Sequence, residues 1–484
     1  MIEQQGIRAT YVALSHCWVN REILKTTKDT LATRLSSVLF SVLPPTFQQA
    51  VMLCRWLGVQ YLWIDSLCII QDDSPDWEEQ ASKMDDIYEN AFFTLAAHGG
   101  PTSSIYPTPA EHELSTHLPI TEGVIRVRSV PVHDFPSPEG VVLGGIGENS
   151  PSWISGRGWC YQERFLSSQI LYFTHFEVLH EDQRGRIRCQ CQCSDAHVHF
   201  LPDIQKPNVK DPKDPSRLWR RIVKQYSLKA FTREWDILHG LAGIARRFQQ
   251  YHQPGAYFAG LWENDIARWL CWRSVRPLFY GALHSGCERF GVWPHRLNEQ
   301  PPQEEYVVPS ISWASKVGAC EFLEAVWEEE AMQKVQIRGF RCERGHQNPF
   351  GRFTECAVDI QGHILDAGVI STVGKDRKYL QNCRTEYAHI VFPHVFDELD
   401  PLDPEWYETA VEKATQYDFD ATDDIPGDYG SAELFVYKAD SICLILKALE
   451  NNSYGEEQCY RRVGLCKIAS YWFTAERQDY ITLV

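Results

Sequence analysis

Several common functional fingerprints are missing from this sequence. There is no G-x-G-x-x-G and no G-x-x-x-x-G-K-[ST], so no loop is patterned to cradle a phosphate. There is no G-x-S-x-G elbow and no cysteine-protease signature, which removes the usual sequence marks of a hydrolytic nucleophile. Positive charge is in deficit: 47 Lys and Arg stand against 64 Asp and Glu, a net charge of −17. That balance argues against a nucleic-acid binder and against a binder of anionic membranes. A long apolar run is also lacking. The most apolar window, VMLCRWLGVQYLWIDSLCII, contains Arg55, Gln60 and Asp65, so no membrane span is expected. The opening MIEQQGIRATYV has no basic start followed by an apolar core. No secretory leader is therefore expected, and the expected compartment is cytoplasmic.

What is present is the composition of a globular chain, 44% hydrophobic and 23% charged. Its 484 residues exceed what one core serves, which predicts two or three domains. The 16 cysteines are scattered and read as reduced, mostly buried thiols. Cys189, Cys191 and Cys193, followed by His197 and His199, hint at zinc. Their alternation with Arg188, Gln190 and Gln192 is that of a half-buried strand, and no metal is expected.

Apolar YVALS (11–15) reads as a strand. Pro44-Pro45-Thr46 opens a helix with Phe47, Ala50, Val51, Cys54 and Leu57 at helical spacing and Gly58 as its stop. YLWIDSLCII (61–70) reads as a strand buried on both faces, completing a βαβ unit. Ser74 is the expected N-cap of a second helix, with Pro75 at its first position and Trp77, Ala81, Met84 and Tyr88 along one face. FFTLAAH (92–98), VIRVRSV (124–130), LYFT, FEVLH and IRCQCQC read as strands, and RGWCYQERFLSS (157–168) as a short helix. Residues 203–216 look like a linker, and 217–250 are helical, continuing around Tyr257 to Trp272. The expected domains are 1–200, with a motif core at 10–168; a helical middle at 201–300; and a β-rich region at 301–484, with an acidic loop near 397–428. The fold class is thus α/β at the N-terminus.

In a covered parallel sheet, ligands sit beyond the carboxyl ends of the strands. Ser15, His16, Cys17 and Trp18 follow the first strand, and Asp65, Ser66, Cys68 and Gln71 lie at the end of the second, so both groups face one rim. Trp159, Gln162 and Glu163 stand at i, i+3 and i+4 on one helix, with Arg157 ahead of them. A guanidinium there suits a phosphate or carboxylate; equally, Arg157 could pair with Glu163 or Asp65 and simply lock the domain. Neighbours on a strand point to opposite faces, so His16 is poorly placed as a base for Ser15 or Cys17. Trp313 reads as core.

YVALSHCW, LWIDSLCIIQDD, DWEEQASKMDDIYENA and RGWCYQERFLS occur in that order and together resemble the four blocks of the fungal heterokaryon incompatibility (HET) domain. The resemblance covers roughly residues 10–195, and later stretches such as VPSISWAS look like the usual continuation of long HET proteins. The family usually has Tyr at position 16, Gly at 19 and Glu at 80, where this chain has His16, Val19 and Gln80. The resemblance implies a role in non-self recognition ending in growth arrest or cell death. It also implies a TIR-like, Rossmann-like parallel sheet with helices on both faces.

Two function classes follow from it. One is TIR-like hydrolysis of NAD, or of a related nucleotide, with NAD as substrate and no cofactor. In it Glu163, Asp65 and Glu79 are the catalytic candidates, because a carboxylate stabilises an oxocarbenium-like state. Ser15, Trp18, Gln71, Arg157, Trp159 and Gln162 would bind the ligand. The other is a non-enzymatic module acting by self-association or by contact with another incompatibility or sensor protein.

Overall fold

The computed structural model describes residues 8–16, 18, 24–97, 111–112, 127–128, 154, 157–173, 178–189, 214–229, 231, 236–275, 308–315, 319–322, 336–344, 348–351, 353–371, 378–382, 390–391, 430–436, 442–448, 459–467 and 477–483. Cys17, most of VIRVRSV, residues 203–213 of the linker, the acidic stretch 397–428, and Cys191, Cys193, His197 and His199 lie outside them.

The chain forms two compact units. The first spans Met1–Gln253, and the second opens at Pro254. In the first unit, strand β1 (Tyr11–Ser15) has four of its five residues buried. Helix α1 (Lys28–Ser36) opens on a Thr27–Thr30 capping box. Helix α2 (Pro45–Trp56) begins on proline, as the sequence indicates. It ends where Gly58 turns left-handed at φ +71° and the Val59 N–H returns to the Cys54 carbonyl at 2.8 Å. A side chain is strained in that conformation; glycine is not.

Strand β2 (Tyr61–Ile64) is shorter than the expected 61–70 and only its last residue is fully buried. At Asp65 the chain turns into the short helix α3 (Asp65–Cys68), with the Ser66 N–H donating to the Asp65 carboxylate at 2.6 Å. Such an Asp side chain offers the backbone an alternative to the ladder, which stops the strand. β2 is also an edge strand of its sheet, so the expected burial on both faces does not arise. Helix α4 (Ser74–Asn90) has Asp73 at its N-cap position, one residue earlier than Ser74, without a side-chain capping hydrogen bond. Strand β3 (Thr94–Ala97) follows, then the small pair β4 (Glu111–His112) and β5 (Val127–Arg128). Helix α5 (Gly158–Leu166) and strands β6 (Ile170–Phe173), β7 (Val178–Glu181) and β8 (Ile187–Cys189) complete the sheet.

The sheet order is β2-β1-β3-β6-β7-β8. The first four strands are parallel and the last two antiparallel. Alternation splits its residues between two cores, as the two-residue period of a strand requires. On one face Val12, Leu14, Leu95, Ala97 and Phe173 pack with Phe47, Ala50 and Leu53 of α2. On the other, Ala96, Ile170 and Tyr172 pack with Cys160 of α5. Helices therefore cover both faces. Helices α6 (Pro215–Ser227), capped by the Asp214 carboxylate, α7 (Asp236–His239) and α8 (Ala242–His252) close the unit.

The helical continuation expected at 257–272 is reduced to one four-residue helix. In the second unit β9 (Tyr257–Phe258) pairs with β10 (Leu261–Trp262), followed by helix α9 (Ile266–Trp269) and strand β11 (Trp272–Val275). Positive φ at Gly255, Ala259, Gly260 and Asp265 interrupts the chain every few residues, too often for a helix to propagate. Trp262, Trp272 and Trp313 are fully buried there, and Trp313 is core as expected.

Strand β12 (Ala319–Phe322) pairs with β11. Then come β13 (Gln336–Arg344), the 19-residue β14 (Phe353–Ser371), β15 (Lys378–Asn382), β16 (Ile390–Val391), β17 (Gly430–Val436), β18 (Ile442–Ala448), β19 (Cys459–Lys467) and β20 (Arg477–Leu483). Successive pairings run β14-β17-β18-β19-β20, and β20 returns to β14. That closes a ring and leaves those strands without a free edge along the path. No described helix is long and apolar enough to cross a membrane.

Candidate functional site

The rim at the carboxyl ends of β1 and β2 gathers the residues the sequence places there. Asp65 opens α3 directly after β2, which fixes its carboxylate at the strand end. Its Oδ2 accepts the Trp18 indole N–H at 3.0 Å, and the His16 Nδ1 stands 3.6 Å from its Oδ1. The His16 ring meets Phe47 edge-on, centroids 5.0 Å apart, on the α2 face of the sheet. Burial holds the His16 pKa below the ordinary histidine value, with Arg157 pushing the same way and Asp65 opposing. A neutral imidazole results. Ser15, one residue earlier, points to the other face and meets Glu163, so the two do not form a nucleophile–base pair.

Glu163 is the central group. It is 4% exposed, and burial first, then the nearby Asp65 charge, raises its pKa to about 7. Hydrogen bonds from the Ser15 and Tyr88 hydroxyls and the charge of Arg157 favour the carboxylate but do not cancel the desolvation. The Glu163 Oε2 and the Gln162 Nε2 are buried without a protein partner. Tyr88, on α4, also reaches the Leu14 carbonyl at 3.3 Å, and its pKa is raised by burial and then by Glu163. Arg157 is the N-cap of α5, and its guanidinium lies 3.4 Å from the His16 carbonyl oxygen. Segments near 15, 65 and 160 thus converge on one rim.

Other candidates sit elsewhere. Gln71 donates to the carbonyls of Asp65 and Ile69, clasping the α3 turn. Trp159 packs edge-on against Trp77 and points its N–H toward Asp236 at 3.4 Å. The Gln162 Oε1 accepts the Gly243 N–H of α8 at 2.7 Å. One helix face therefore fans out to three neighbours rather than a single pocket. Glu79 is exposed and pairs with Lys83 one turn on; its carboxylate does not join the rim.

Two buried ion pairs escaped the sequence reading. Asp85, fully buried on α4, is paired with Arg246 of α8, and Arg247 stands 3.6 Å from it. An acid inside the stripe of Ala81, Met84 and Tyr88 was the available signal. Arg164 forks onto Glu181 at 2.8 and 3.0 Å, and the Tyr172 hydroxyl donates to the same carboxylate. Nothing local marks that triad, whose members lie on three elements. Beside it a cavity of about 20 Å³ is lined by Ser15, Thr94, Cys160, Arg164, Tyr172 and Lys229 among others.

Chemically, the rim offers a neutral histidine, a solvent-touched carboxylate and a buried carboxyl near neutrality. Burial pushes the Cys54 and Cys68 thiols up to about 11, which disfavours the nucleophilic thiolate. Among the described residues no cluster of three or more His, Cys, Asp or Glu could hold a metal ion. No match was found among curated proteins or among solved structures. Residues 11–163, which span β1 to the Glu163 turn of α5, match the family model described as "Heterokaryon incompatibility protein (HET)". With its four sequence blocks built into one sheet and one rim, residues 11–163 of the chain form a heterokaryon incompatibility (HET) domain.

Proposed function

We propose that the HET domain acts in incompatibility as a signalling module. The buried network of Ser15, Tyr88, Arg157 and Glu163 holds one conformation of the rim. Output passes through self-association or through contact with a second incompatibility or sensor protein, and ends in growth arrest or cell death. The observation that carries this reading is the burial of Glu163, 4% exposed, among Ser15, Tyr88 and Arg157. The cavity beside Ser15, about 20 Å³, has room for about one water. Expression in the host, scored by growth arrest, tests it. Glu163→Gln keeps the shape and charge of the protonated carboxyl, so arrest should persist. Loss of arrest by a variant of normal abundance and fold would overturn the reading.

A second reading, TIR-like hydrolysis of NAD or a related nucleotide, has one specific observation in its favour. Glu163 is a buried carboxyl with its pKa raised to about 7 next to Asp65, and carboxyls set apart in this way are how glycosidic chemistry divides its acid and base roles. In that reading Trp18 and Arg157 face the ligand, and Glu79, exposed on α4, takes no part.

A further inference from the structure

The second unit contains a thiol pair that the HET role does not use. Strands β13 and β14 are antiparallel, and their register sets Cys342 directly opposite Cys356. The two sulfurs are 3.1 Å apart and neither is in a disulfide. Cys342 is half-buried, whereas Cys356 is 5% exposed. We propose that Cys342 and Cys356 form a reversible cross-strand disulfide, with a low-molecular-weight disulfide such as glutathione disulfide as oxidant.

The step balances as two exchanges. The accessible Cys342 thiolate attacks one sulfur of the oxidant, forming a mixed disulfide and releasing one thiolate. The Cys356 thiol then loses its proton and attacks the Cys342 sulfur, forming the protein disulfide and releasing the second. Two protein thiols are oxidised and one small disulfide is reduced to two thiols.

Geometry argues for a bond that is reachable yet labile. Directly opposed strand residues hold their Cβ atoms roughly 4.5–5.5 Å apart, whereas a relaxed disulfide wants about 3.8 Å. Closing the bond must draw the strands together, and strained disulfides lie toward the oxidising, easily reduced end. A register irregularity between Glu343 and Arg344, next to Cys342, offers the slack. The bond would fasten β13 to β14, the strand on which β15, β17 and β20 also pair. The same sheet sets Cys443 opposite Cys466 in register, so the site of any linkage must be mapped.

The test equilibrates the full-length protein in glutathione buffers of rising oxidised fraction, followed by non-reducing peptide mapping and hydrogen exchange. The expected result is a linked pair of peptides carrying Cys342 and Cys356, two hydrogens lighter than the separate thiols and restored by reduced glutathione. Exchange at the amides of β13 should slow on oxidation. In Cys356→Ser the same buffers should leave one glutathione on Cys342. A wild-type protein that accumulates glutathione on Cys342 without the linked pair, or that links only Cys443 to Cys466, would overturn the proposal.

Discussion

A carboxyl group buried like Glu163 ionises at a cost, and the sign of that cost can be measured. Its pKa is about 7 in the fold, against 4.5 as its unperturbed value. The folded state then binds the proton more tightly than the unfolded chain does, so this contribution is fully present below about pH 4.5 and lost as pH rises through about 7. Each unit is worth about 1.4 kcal/mol, which puts the loss on the order of 3 kcal/mol. Glu163→Gln has no such proton to lose. Thermal melts of both proteins from pH 4 to 8 should show the variant gaining on the wild type across that window and level above it. A constant gap would mean that the fold leaves the pKa of this carboxyl at its unfolded value. Gly158 poses a steric question at the same scale, because a Cβ there would lie 1.9 Å from the Phe231 ring. Gly158→Ala should cost about 1–3 kcal/mol by overpacking, read from the denaturation midpoint, and Phe231→Leu in the same chain should recover part of it.

Between elements, polar side chains hold the helices of the first unit together. The Asp85–Arg246 pair and the Gln162–Gly243 hydrogen bond both bring α8 onto the α4–α5 corner. Asp85→Asn leaves two arginines facing a neutral amide; it should lower stability by about 3 kcal/mol, seen as a lower urea midpoint with an unchanged slope. A midpoint within error of wild type would show that the pair is solvated in solution. Little of this was legible in the sequence. Strand and helix positions were, because proline, glycine and apolar spacing act locally: Pro45, Gly58 and the β1 run all mean what they suggest. The meeting of the strand ends was legible too, since parallel pairing of β1 with β2 and β3 brings their carboxyl ends to one edge whatever the side chains. The partners of Gln162 and Asp85 were not, as Gly243 lies 81 residues and Arg246 161 residues away. The strand expected over 61–70 stops at Ile64 for a local reason, the Asp65 turn, that hydropathy hides. The helix expected around Tyr257 failed on backbone conformation, of which Ala259 at φ +44° gives no warning in composition.

The whole chain joins an α/β HET unit to a second, strand-rich unit whose central strands close into a ring. The matched family segment lies wholly within the first, so the rim chemistry can be tested in the full chain without reference to the second unit's thiols. Its function turns on whether the carboxyl at position 163 performs turnover or only holds shape. The direct measurement is incubation of purified full-length protein with NAD, at low and at assembling concentrations, with chromatography for free nicotinamide. The signalling reading predicts no release above the buffer blank, for wild type and Glu163→Gln alike. Sustained release by the wild type that Glu163→Gln abolishes would contradict it.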